Sequence, residues 1–439
     1  MTSSPALSDA TDATPATDGG RRRSPGVVIA LCFVAIVFDG YDLVVYGAIV
    51  PDLLAYTEWG MTPVDTGRVG SLALLGMLFG ALSIGYLTDV VGRRKVMLAS
   101  VAVFSVLMLA SALAPSPFWF GTFRFLAGLG LGGVIPTAIA LTVEYSRPER
   151  RNTNNALMFS GYAVGGIASA LAALALLDTV GFRGMLALGA LPLVTVVPLL
   201  FWLLPESPSY LAAQGRHAEA AELRRTYGLP DPAVAKDGPA PAGDRLATLV
   251  RGRWLVATVL FCLAGIAGQT LIYGLSTWLP QLMVVAGYSV DSSLAFLLTV
   301  NVGAVVGVVV SSYAADRFGP RPVTVVSFTA AGVALVLMGT GLASLPVMFA
   351  LVAVVGFGSI GAQILVNGFV ATYYPDTSRA SALGITLGLG RLGAILAIYG
   401  GGVLVAAELG DLVNFAVWAL AAALGVAALL AVPRRSTLS

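Results

Sequence analysis

The sequence predicts an all-α integral membrane protein with twelve transmembrane helices in two pseudo-symmetric six-helix halves. Three observations carry that prediction. Of the 439 residues 57% are hydrophobic and only 11% charged, whereas soluble domains run near 25% charged. Apolar runs of about 20 residues, enough to cross a ~30 Å hydrocarbon layer at 1.5 Å per residue, recur a dozen times. The chain also repeats itself: Asp89 and Gly92 of "GYLTDVVGRRKV" align with Asp316 and Gly319 of "SYAADRFGPRPV" at an offset of 227, and the same offset takes Pro148 to Pro375 and Gly161 to Gly388.

Residues 1–25, rich in Ser, Thr, Ala and Asp without an apolar core, read as a disordered tail and exclude a cleavable signal peptide. The N-terminal half, 26–204, holds spans near 26–55, 67–89, 96–114, 118–144, 155–177 and 182–204. A polar linker rich in Pro and Ala, 205–253, follows. Within it "AAQGRHAEAAELRRTYG" predicts a short amphipathic surface helix that carries the single histidine, His217. The C-terminal half, 254–432, holds spans near 254–284, 292–315, 322–343, 346–371, 380–405 and 411–432, and 433–439 forms a short tail. Fifty-one glycines suit membrane helices, where small residues let backbones approach closely.

Orientation follows from the basic residues. Twenty-one Lys and Arg fall on one side, in the tails, the linker and the turns at 93–95, 147–151, 317–321 and 379; Arg68 and Arg183 alone fall on the other. Both termini and the linker are therefore expected in the cytoplasm of a bacterial inner-membrane protein. The net charge of +2 is a topology signal and gives no reason to expect a nucleic-acid partner. Cys32 and Cys262 lie within apolar spans, which argues for packing over disulfide or metal chemistry. No phosphate-cradling loop, zinc spacing or nucleophile elbow occurs, so an enzyme is not expected, nor any cofactor beyond a coupling proton.

Eight ionisable or amide groups sit where hydrocarbon makes them expensive. Asp39 and Asp42 are spaced i,i+3 and share a helix face. Asp39 lies about 20 Å above Gly26 and Arg124 about 10 Å below Phe118, at 1.5 Å per residue, so an Asp–Arg contact between the first and fourth spans is allowed. A fixed pair needs one carboxylate; a second beside it, in low dielectric, suits a group that takes up and releases a proton. Asp39 sits deeper and is the favoured carrier. Arg391 lies some 16 Å inside its span with no acidic residue in that span, and its planar fork suits a substrate carboxylate. Gln269 with Tyr273, Gln363 with Asn367, and Asn301 offer polar partners, and Tyr41, Trp278 and Phe369 flat walls. Each of these residues has a packing role as its alternative.

Gly85-x-x-x-Asp89-x-x-Gly92-Arg93-Arg94-Lys95 resembles the cytoplasmic signature loop of the major facilitator superfamily. The resemblance extends over the twelve spans, the repeat and "PESPSYL" at 205–211. Asp39-Gly40-Tyr41-Asp42 resembles the aromatic acid:proton symporter family within it. That resemblance implies import of benzoate- and hydroxybenzoate-type acids with a proton, a monomer, roles for Asp39, Asp42 and Arg391, and a loop that latches the halves. Asp89, Arg93, Arg94 and Glu144 are the expected gating residues, with Asp89–Arg93 and Glu144–Arg147 or Glu144–Arg150 pairs; Asp316, the repeat match of Asp89, and Arg379, which resembles a cytoplasmic-end arginine of the family's eleventh helix, are grouped with them. The rival readings are an aliphatic organic acid or sugar-like cargo on the same fold, and a membrane sensor that binds an aromatic acid without moving it.

Overall fold

The computed structural model describes residues 24–230, 249 and 252–433. The chain runs through α1 (Gly26–Ala55), α2 (Pro63–Val91), α3 (Arg93–Ala112), α4 (Pro117–Glu144), α5 (Arg151–Leu188) and α6 (Val196–Leu203). The short α7 (Pro208–Ala213) and α8 (His217–Tyr227) follow, and then α9 (Gly252–Val285), α10 (Val290–Phe318), α11 (Pro320–Gly339), α12 (Leu345–Tyr373), α13 (Asp376–Ala406) and α14 (Asp411–Ala431). Among the described residues eleven helices are long and apolar enough to cross a membrane.

The expected span 182–204 is present as a broken helix, with the shorter apolar stretch Leu191–Leu203 completing the twelve. The chain turns at Gly181 (φ 63°, ψ −179°), continues as helix to Leu188, passes through a single 3-10 turn at Leu191–Leu193, and resumes as α6. Pro192 supplies the cause, because a proline has no N–H to donate and its ring clashes with the preceding turn.

The repeat is visible in the backbone. α2 and α10, and α3 and α11, begin and end at positions that differ by the same 227 residues. Their N-caps also correspond: Thr62 closes a capping box with Asp65, and Ser289 accepts from the N–H of Ser292. Gly92 (φ 102°, ψ 149°) and Gly319 (φ 88°, ψ 152°) make the same sharp turn between helices, each donating its N–H to the carbonyl four residues back. Positive φ is cheap only for glycine, which explains why these two positions match while the basic run after them does not.

Each set of helices packs mainly on itself: α1 on α5 and α2 on α4 in the first, α9 on α13 and α10 on α12 in the second. The two sets meet through α2–α13, α1–α9 and α5–α10. Ser71 Oγ donates to the Ile395 carbonyl at 3.1 Å, Gly402 lies against the Pro63 carbonyl, and Gly47 lies against the Ser276 carbonyl. These contacts gather toward the turns at 56–62 and 407–410, so the bundle is closed at that end. α8 is the surface helix expected from sequence. It exposes His217, holds an Arg216–Glu219 pair at 2.5 Å, and packs Tyr227 edge-on to Tyr145 at 5.1 Å.

Candidate functional site

At mid-depth, α1 presents Asp39 and Asp42, 2% and 6% exposed. Two glycines bring α1 and α5 into backbone contact here. A Cβ on Gly40 would collide with the Tyr162 carbonyl, and one on Gly165 with the Val37 carbonyl.

The two aspartates have different surroundings. Asp42 forms a salt bridge with Arg124 of α4, with the second guanidinium nitrogen 3.4 Å from its other oxygen. Arg124 is 3% exposed, lies 5.1 Å above the Tyr46 ring and reaches Met108 Sδ at 3.3 Å. Asp39 Oδ2 is buried without a hydrogen-bond partner. Asp39 lies within electrostatic reach of Arg391 and Asp42 but forms no salt bridge among the described residues. Arg391 of α13 mirrors this. It is half-buried, and its Nη1 is enclosed without a partner. The helices thus hold one closed ion pair and, beside it, an opposed carboxylate and guanidinium that are not joined.

Removing Arg124 leaves Asp42 buried and uncompensated, a change worth about 3–5 kcal/mol of stability. Arg124→Ala is therefore expected to lower the melting temperature sharply in detergent, with Arg124→Lys in between. Equal melting curves would show that the pair contributes nothing.

The small central cavity encloses about 20 Å³, room for about one water. Asp39, Asp42, Tyr46, Arg124 and Tyr162 line it from the first set of helices, and Tyr273, Thr277 and Ile398 from the second. Tyr162 donates to Tyr273 across the two sets at 3.4 Å. Thr277 Oγ1 is a further buried polar atom without a partner.

Tyr162 and Thr277 were absent from the residues expected on sequence grounds. Thr277 is i+4 from Tyr273 and therefore on its face of the helix, a signal the sequence does carry. Tyr162 sits among Gly161, Gly165 and Gly166, a close-packing signature with one polar group in it.

The other expected residues divide. Gln269 packs its Cγ at 3.2 Å from the Cβ position of Gly390, next to Arg391, and Gln363 lies against Gly268 and donates to Asn367 at 3.3 Å, with its Oε1 unpartnered. These three therefore gather around α9 on the Arg391 side. Tyr41 does not line the cavity: its hydroxyl donates to the Met185 carbonyl at 2.8 Å, tying α1 to the last turn of α5. Asn301 donates to its own helix at Leu297 and sets its Oδ1 against Gly166, where α10 meets α5. Trp278 is a core residue that donates to the Ile398 carbonyl at 2.8 Å, and Phe369, partly buried, packs edge-on to Phe261 of the core at 5.0 Å.

At the basic end Arg93 pairs with Glu144, which also accepts from Ser207 Oγ at 2.6 Å. The Arg94 backbone N–H donates to Glu206 at 3.0 Å, and its guanidinium reaches the Phe201 carbonyl. This corrects the expected pairing: Arg93 is joined to Glu144, and Glu144 to neither Arg147 nor Arg150. The cause is tertiary, since the end of α4 runs beside the α2–α3 turn. These bonds lie within the first set of helices and do not bridge to the second. The side chain of Asp89 lies outside the described residues. Asp316 and Arg379 are exposed at the corresponding end of α10 and α13. Glu144→Arg is expected to lower thermal stability, and adding Arg93→Glu to recover about 1 kcal/mol or more of coupling; strict additivity of the two would rule out a direct pair.

A family model described as Major Facilitator Superfamily matches residues 32–313 and 294–439. The chain is 37% identical over 411 residues to a gentisate transporter of Corynebacterium glutamicum, covering 93% of this chain and 87% of that protein. It is 34% identical over 412 residues to a benzoate transport protein of Acinetobacter baylyi, covering 91% and 87%. A crystal structure of a D-xylose–proton symporter shares the fold at a TM-score of 0.72 and 18% identity, over 92% of this chain and 96% of that one. With its repeat, its spans and its loop at 85–95, the chain belongs to the major facilitator superfamily.

Proposed function

We propose that this chain is a proton-coupled symporter that imports small aromatic carboxylates, of the hydroxybenzoate and protocatechuate class, across the bacterial cytoplasmic membrane as a monomer with both termini inside. The observation that carries this reading is the separated pair: Asp39 with a buried oxygen lacking a partner, facing Arg391 with a buried nitrogen lacking one. In the Asp42–Arg124 pair, by contrast, both carboxylate oxygens and both terminal guanidinium nitrogens are engaged, and Arg124 Nε alone of the pair lacks a partner. The names of the gentisate and benzoate relatives supply the cargo class.

The mechanism follows from charge balance. While the site is empty, Asp39 compensates Arg391 through space. When a substrate carboxylate takes the guanidinium fork, a charged Asp39 is left uncompensated in low dielectric, and it takes a proton. Asp42 remains with Arg124 and does not participate. One anion and one proton then cross together without net charge, which removes the membrane potential, about 2.3 kcal/mol per charge per 100 mV, as an opposing force. Because 20 Å³ is far below the several hundred Å³ of a ligand pocket, substrate binds after the halves rock apart on the Arg391 side. Gln269, Tyr273, Gln363 and Asn367 then meet the ring and its hydroxyls. In this reading 26–204 and 254–432 are the moving bodies; Asp89, Arg93, Arg94 and Glu144, with Asp316 and Arg379, form the cytoplasmic gate.

The test is uptake into proteoliposomes with an imposed inward proton gradient. Gentisate, benzoate and 4-hydroxybenzoate are expected to accumulate, whereas succinate and hexoses are not. Binding without accumulation would make the protein a sensor, and accumulation indifferent to the gradient would remove proton coupling.

A further inference from the structure

Between α2 and α4, at the end away from the basic turns, a groove of about 690 Å³ opens on the outer surface of the bundle. Val69 and Leu72 of α2 and Phe118 and Phe125 of α4 form its walls. Gly121 keeps it open, since a Cβ there would stand 3.1 Å from Leu72 Cδ1. Arg68 stands exposed at its mouth.

Arg68 departs from the charge pattern of the whole chain, which places only two basic residues at this end. The other, Arg183, is fully engaged: it donates to the carbonyls of Ala112 and Ala114 at 2.8 and 3.0 Å and lies 5.0 Å over the Trp59 ring. Arg68 has no salt bridge among the described residues. Its neighbour Asp65 also lines the groove and lies within electrostatic reach of Arg68, but its hydrogen bonds go to the helix cap, accepting from the Thr62 N–H at 3.1 Å and hydroxyl at 2.6 Å. Two further grooves on the bundle surface, of about 460 and 430 Å³, have no charged residue in their walls.

We propose that this groove binds one phospholipid with an anionic headgroup, its phosphate on the Arg68 guanidinium and an acyl chain between α2 and α4. The planar fork of arginine matches a phosphate; in an anionic headgroup no choline cation offsets that phosphate, so the guanidinium meets a net negative charge. Trp59 and Trp119 lie at the adjoining helix ends, where aromatic residues mark headgroup depth. The site is separate from the transport site. On the opposite face of α2, Gly67 and Ser71 touch α13, so a lipid gripping this helix bears on the joint between the halves.

Native mass spectrometry of the full chain, solubilised from bilayers of equal phosphatidylglycerol and phosphatidylcholine, tests this. The wild type is expected to retain one phosphatidylglycerol with about tenfold preference, the worth of one charge-assisted hydrogen bond. Arg68→Gln should bring the two lipids to parity, and Gly121→Leu, which fills the groove, should remove the retained lipid of either kind. Both positions lie outside the transport site, so gentisate binding in detergent reports that each variant is folded. Equal retention of the two lipids by the wild type, an undiminished preference in Arg68→Gln, or an unchanged lipid count in folded Gly121→Leu would each overturn the proposal.

Discussion

Asp39→Asn is expected to abolish accumulation against a gradient while leaving substrate binding and exchange in place. For one proton per anion, the wild type should concentrate substrate about tenfold per unit of imposed pH gradient, equivalent to ~1.4 kcal/mol. The variant should stop at a ratio of about one by the same relation, because Asn occupies the same space, satisfies Arg391 no longer by charge, and cannot take up a proton. The sign with pH follows: uptake by the wild type rises as external pH falls, since the proton is a substrate, and the variant is flat. Asp42→Asn provides the contrast. It breaks a closed ion pair, so its loss should appear in melting temperature before it appears in the coupling ratio. Accumulation by Asp39→Asn that still follows the gradient would end the assignment.

Arg391 carries the second large effect. Arg391→Lys keeps a positive charge but loses the planar fork, and is expected to raise KM for gentisate or 4-hydroxybenzoate about tenfold. Arg391→Gln removes the charge as well and should raise it about a hundredfold, in line with ~1.5–3 kcal/mol for a hydrogen bond to a charged group. Measured alongside, binding of the neutral amide of the same acid should change little, because it presents no carboxylate. A KM unaltered in both variants would place the anion elsewhere.

Much of this was legible in the chain itself, and the divisions have physical reasons. Hydrocarbon imposes span length and apolarity directly, so eleven helices could be read from composition along the chain. The sixth span keeps its expected place but is broken near Pro192, which acts on backbone geometry without changing hydrophobicity and so leaves no mark in the hydropathy. Depth was readable: counting 1.5 Å per residue put an aspartate of α1 level with Arg124, and the two do meet. Which aspartate was not readable, because i,i+3 residues share a face and only the rotation of α4 against α1 selects Asp42. The same limit applies to Arg93, whose partner Glu144 arrives from 51 residues away. Tyr41 shows the reverse limit, since a polar aromatic beside two buried carboxylates turns its hydroxyl to the Met185 carbonyl. Tyr162 carries only an indirect signal, the close contact that its glycine neighbours mark.

The interlocked backbones at Gly40 and Gly165 bear on how a proton becomes motion. On the proposed coupling, the close contacts of Gly40 with the Tyr162 carbonyl and of Gly165 with the Val37 carbonyl would let α1 slide little along α5, so that a displacement caused at Asp39 would be handed on to Tyr162, whose hydroxyl meets Tyr273. The carboxylate is mounted on a gear and not on a spring. A methyl group at either tooth, as in Gly40→Ala or Gly165→Ala, should therefore loosen the train and let protons leak without cargo before it empties the membrane of protein.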